Sequence, residues 1–177
     1  MNLNILPHTV EGMAKAYEAA PDEYPSIPEE QLRTFRQLIN AQFSKISQRI
    51  RIDFVDYEPY GQEPKIADML KDFYTGVLKI HTTGNDSKVW GTFTNLQFRA
   101  IHDYIHCLFE IEFNHNSEIL AFRKQAEYSF GFGEQFPYLN WETYVGILRS
   151  EIVYQSAYKE HFGAFHIDQK IILEELK

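Results

Sequence analysis

Two histidines, His102 and His106, stand four positions apart in a run of mostly apolar residues. On a helix that spacing places both on one face, one turn apart, so their rings can converge on a single ion or polar ligand. Imidazole pairs of this kind hold zinc or non-haem iron when a carboxylate completes the set. The chain offers three such acids: Asp103 adjoins the first histidine, Glu118 follows a polar break at Asn114-His115-Asn116-Ser117, and Glu151 falls within a later helical stripe formed by Tyr144, Ile147, Leu148 and Tyr158. The chemistry these residue types could perform is metal-assisted hydrolysis. His102, His106 and Glu151 are the expected ligands of a divalent zinc or iron ion. Glu118 or Asp103 is the acid–base candidate, and Arg99, Gln155 and Tyr158 are the candidate ligand-binding groups.

Glu151 takes the third ligand position in this reading because its stripe is apolar. A buried carboxylate costs on the order of several kcal/mol unless it is paired or bound to a cation. Arg99 offers a second way to satisfy it, a structural ion pair that locks helices together. Glu118, in the first turn of a helix starting near Ser117, is also explained by the helix dipole alone. Three classes of function therefore stand side by side: a metal-dependent enzyme, a binding module for a small molecule or peptide, and a structural protein whose cluster is an ion-pair lock.

The elements that must position these groups follow from periodicity. Apolar residues surround more than half of the wheel of Thr94–Phe113, so the helix carrying both histidines is expected to be central, with Ile101, Ile105 and Leu108 buried. Its polar sector groups Arg99, His102, Asp103, His106 and Glu110, with no lysine. Cys107 lies on the apolar side and reads as inert core. A second amphipathic helix is expected over Pro28–Arg49, opened by a capping box between Ser26 and Glu29. A third covers Trp141–Glu160, with Glu151 inward and Arg149, Ser156 and Glu160 outward. Alternation predicts short strands at Arg51–Val55 and Val77–His81, flanking a helical stretch at Pro64–Tyr74. Strand, helix, strand suggests a βαβ unit, while so short a crossover also permits an antiparallel pair. The expectation is a single α+β domain, predominantly helical, with a small two- or three-stranded sheet. Residues 1–25, with a helix-like run at Glu11–Ala20, form an N-terminal docking segment on the domain at 26–177.

Composition sets the outer bounds. The 177 residues are 44% hydrophobic and 24% charged, which suits one folded core. A net charge of −8 with no Lys/Arg cluster argues against nucleic acid or anionic membrane as partner, leaving a small molecule or a protein. One cysteine excludes an internal disulfide and a multi-cysteine zinc ribbon. The N-terminus lacks the charged and apolar blocks of a signal peptide, so the cytoplasm is the expected location. Aromatic residues reach 15%, with 14 Phe and 11 Tyr, enough for some rings to line a site. No serine elbow, phosphate loop or dinucleotide fingerprint is present.

The run Asn95-Leu96-Gln97-Phe98-Arg99-Ala100-Ile101-His102-Asp103-Tyr104-Ile105-His106 resembles a signature of uncharacterised bacteriophage proteins and of modules in large phage or mobile-element polyvalent proteins. The likeness extends from about Ile50 to Leu173, through Asp56–Tyr60 and Met69–Asp72 upstream, and Ser117-Glu118, Ser150-Glu151, Gln155 and Asp168-Gln169-Lys170 downstream. Ile105 stands where that family has glycine, and Ser156 where it has asparagine. The resemblance implies a phage or mobile-element origin, a phage or host protein as a conceivable partner in the host-cell cytoplasm, and a shared polar site, but no particular reaction. The doublet His102-Asp103 is also similar to the centre of the His-Asp metal phosphohydrolases. That likeness implies an earlier ligand histidine, for which His81 is the nearby candidate, and a late aspartate, for which Asp168 is.

Overall fold

The computed structural model describes residues 9–21, 26–61, 63–84, 87, 89–166 and 169–173. Most helices bury an apolar stripe, which the sequence periodicity locates, while the buried face of the helix at His115–Phe130 is largely polar. Helix α1 (Val10–Ala19) is capped by Thr9, whose Oγ1 accepts from the Gly12 N–H at 3.0 Å. Helix α2 (Glu29–Ser47) buries Phe35, Leu38, Ile39 and Ile46. The expected capping box does not form. Pro28 itself takes the cap position, leaving Ser26 too far ahead of the first turn, and Glu29 pairs with Arg36 Nη1 at 2.9 Å.

Strands β1 (Arg51–Val55) and β2 (Val77–His81) occupy the predicted residues. They pair in parallel, Arg51 opposite Val77 through Val55 opposite His81, with helix α3 (Ile66–Phe73) in the crossover. The βαβ alternative is therefore the one adopted. Gly76, at φ 83°, makes the reversal that leads into β2.

Helix α4 (Thr92–Phe109) touches α2, α3 and β2, and packs on helix α5 (His115–Phe130). Ile101 and Ile105 are fully buried, as a central helix requires, whereas Leu108 in the last turn is 43% exposed. The helix stops short of Phe113 because Glu110 turns into the left-handed region at φ 53°. Cys107 is buried, and burial pushes its thiol up to about 12, consistent with inert core. The α4–α5 connection delivers Asn114 as the α5 cap, its Oδ1 accepting from the Ser117 N–H at 3.1 Å.

Helix α6 (Trp141–Arg149) continues through a π-helical segment (Ser150–Tyr154) into helix α7 (Gln155–Phe162). Every residue from 144 to 154 is buried, so this stretch has no outward face and Arg149, expected outward, is buried with the rest. Helix α1 packs on α7 and buries Tyr17. Residues 169–173 bridge α1 and the π-helical segment. The Lys170 N–H donates to the Tyr17 hydroxyl at 3.0 Å, its Nζ caps α1 through the carbonyls of Glu18 and Ala20, and the Ile172 N–H donates to Ser150 Oγ at 2.9 Å. Of the expected N-terminal segment, α1 packs on α7, and the expected boundary near residue 25 lies outside the described residues. Among those residues, no helix is long and apolar enough to cross a membrane.

Candidate metal centre

Helices α4 and α5 bring His102, His106 and Glu118 together. His106 Nε2 lies 3.1 Å from His102 Nε2, and Glu118 Oε2 lies 3.2 Å from His102 Nε2 and 3.4 Å from His106 Nε2. The other ring nitrogens fix what these three atoms offer. His106 Nδ1 is 2.9 Å from the Ile111 carbonyl, which only an N–H can satisfy, so the Nε2 lone pair faces the cluster. His102 Nδ1 is 3.1 Å from Gln125 Oε1, and the same logic turns its Nε2 lone pair inward. Both rings are also held by stacking, His106 on Phe113 at 4.2 Å between centroids and His102 parallel to Phe98.

Two imidazole lone pairs and a carboxylate oxygen therefore meet at one point. Three ligands of a tetrahedral zinc, each at about 2.0–2.1 Å, stand about 3.3–3.4 Å apart, which is the size of this triangle. Glu118 Oε2 is buried and accepts no well-formed hydrogen bond among the described residues. An oxygen in that state asks for a cation or a donor. Burial alone raises the Glu118 carboxyl, but His102 and His106 outweigh it and hold it down at about 2. Burial likewise disfavours charge on His102, and there the Glu118 carboxylate prevails, setting the imidazole above its ordinary range. The group could hold a metal ion, with Gln125 and the Ile111 carbonyl orienting the histidines from behind.

His102 and Glu118 line a cleft of about 1090 Å³ whose walls include Arg99, Asp103, Phe113, His115, Glu151 and Gln155, with His106 buried behind them. Asp103 stands next to the trio; burial raises its carboxyl against the pull of His102, His106 and Arg99. Arg99 lines the cleft and donates Nη1 to the Thr83 carbonyl at 3.1 Å.

The acid that meets the two histidines is Glu118, not Glu151. Glu151 is buried as expected, but its Oε2 accepts from Gln155 Nε2 at 3.2 Å and from Gln169 Nε2, away from the trio. The Arg99–Glu151 lock is not among the ion pairs formed. Gln155 lines the cleft, whereas Tyr158 does not: its ring packs against Tyr17, Phe162 and His166 and fastens α1. His81, the upstream histidine the phosphohydrolase likeness needs, sits on β2 and pairs with Glu58 at 2.9 Å. Asp168 lies outside the described residues.

A signal for Glu118 was present in the sequence. His115, Glu118, Phe122, Gln125 and Ser129 recur at three and four along the buried face of α5. A polar stripe running down a packed face marks side chains held for a partner rather than for solvent. The second sphere depends on Ile111, whose carbonyl reaches His106 only after the left-handed turn at Glu110, a feature no periodicity encodes. Comparison with protein-family models, with curated proteins and with solved structures finds no match for this chain.

Proposed function

We propose that this protein is a metal-dependent hydrolase, holding a divalent ion, zinc by preference, on His102 Nε2, His106 Nε2 and the Glu118 carboxylate. The observation that carries the reading is the convergence of three acceptor atoms within 3.1–3.4 Å of one another. Three protein ligands would leave room for a water or substrate ligand, the pattern of catalytic rather than structural zinc, and His102 and Glu118 line a cleft. Zinc in such a site supplies Lewis acidity and acidifies a coordinated water.

The chain's own residues divide the remaining work. Asp103 follows the first ligand directly, where zinc peptidases with the helical His-Glu-x-x-His motif place their glutamate general base. It is the group that takes the proton from the attacking water. Arg99, on the same wall, binds the oxyanion that develops on the substrate. Gln125 and Ile111 keep both imidazoles in the tautomer that presents Nε2. The phage or mobile-element origin belongs to this proposal on the strength of the motif resemblance.

The test is a zinc-loaded preparation assayed against a p-nitrophenyl ester, a p-nitrophenyl phosphodiester and a peptide library. Asp103→Asn should retain zinc and lose turnover of whichever class is cleaved by about 100-fold or more. Turnover unaffected by chelation or by Asp103→Asn contradicts the proposal.

A further inference from the structure

One carboxyl in the cleft is left out of the metal centre. Glu151 lies in the π-helical segment, 9% exposed and lining the cleft. Widened turns of this kind occur as local insertions that re-aim side chains, frequently at functional sites. Two amides, Gln155 and Gln169, donate to its Oε2, but Oε1 is buried with no hydrogen-bond partner among the described residues. An orphaned buried oxygen is costly and calls for an explanation.

The surroundings say which partner fits. Carboxylates of Glu58, Glu63, Asp103, Glu118 and Glu160 also line the cleft, and the chain carries a net charge of −8. Lys65, Lys79, Arg99 and Lys159 line it too; Lys79 is engaged by Asp72 at 2.7 Å and Arg99 donates to the Thr83 carbonyl, and none of the four is hydrogen-bonded to Glu151 Oε1. An acceptor alone would leave an ionised Oε1 as it is, and a neutral donor would bring no charge to balance it. An ammonium or guanidinium group brings N–H donors and the missing positive charge together.

We infer that Glu151, steadied by Gln155 and Gln169, is a subsite for an ammonium or guanidinium group of the molecule that occupies the cleft. Burial holds the carboxyl up at about 8 against the two amides, and a bound cation returns it to the ionised form. The inference rests on the proposed hydrolase for the role of that molecule as substrate, and not for the binding itself.

Metal-free protein separates the two. Titration with n-butylammonium, methylguanidinium and n-butanol, followed by NMR at the side-chain amides of Gln155 and Gln169, should give saturable shifts with both cations and none with the alcohol. The isosteric Glu151→Gln should bind the cations at least about tenfold more weakly, and His106→Ala should bind them as the parent does. Absence of saturable shifts in the parent, equal shifts with butanol, or undiminished binding by a folded Glu151→Gln overturns the subsite. Failure of the hydrolase reading appears differently, as cation binding intact in a protein that neither retains zinc nor turns over.

Discussion

His106 is fixed on every side: Nδ1 bonds the Ile111 carbonyl, the ring stacks on Phe113, and Nε2 meets His102 and Glu118. Replacing it with alanine removes one ligand and one buried hydrogen bond. His106→Ala should remain folded, lose about 1–3 kcal/mol in a urea melt, and fail to retain zinc. Gln125 acts one step back, so Gln125→Leu should keep the ligands but lower zinc affinity about 10–100-fold in chelator competition. Glu151 makes a separate prediction with a definite sign. Its folded-state value, about 8, stands above the ordinary 4.5 of the unfolded chain, so the folded protein binds that proton more tightly. The contribution to stability is full below about pH 4.5 and is lost as pH rises toward about 8. Urea midpoints measured across that window should fall with a slope that Glu151→Gln removes; an unchanged slope in the variant sets the assignment aside.

Legibility in the sequence differed from element to element for physical reasons. The strands and α4 were readable because alternation and a wide apolar arc report burial directly, and the histidine pair came with α4. Helix α5 was harder, because its buried face is itself polar and so looks like a solvated one. That misdirected the third ligand from Glu118 to Glu151. The π-helical segment has no sequence signature, Arg149 was misplaced because residues 144 to 154 are buried on all sides, and the Ser26–Glu29 box failed because Pro28 occupies the cap. Ser150 shows what the segment does for packing: its Oγ accepts from the Ile172 N–H and donates toward the Gly146 carbonyl, pinning residues 169–173 over α6. Ser150→Ala strands the Ile172 N–H and should cost about 1–2 kcal/mol. It should also raise hydrogen-exchange rates at residues 169–173 without changing those of α2, whereas uniform acceleration throughout the chain contradicts a local role.

At the scale of the whole molecule, the parallel strand pair and α2 hold α4 at the centre, and α5 crosses it to complete the trio. Helix α1 and the C-terminal residues close over α7 from the other side, bringing Gln169 to Glu151. His102, His106 and Glu118 come from two helices, so the cluster exists only in the folded chain, and an ion bound there would stabilise folding by mass action. The central claim is that His102, His106 and Glu118 hold one divalent ion. Zinc K-edge X-ray absorption on untagged protein at one zinc per chain tests it most directly. The account predicts two imidazole nitrogens and light oxygen ligands at about 2.0–2.1 Å, with the imidazole signal reduced to a single histidine or lost in His106→Ala. Zinc that stays in an all-oxygen shell, or a spectrum identical in parent and His106→Ala, contradicts it.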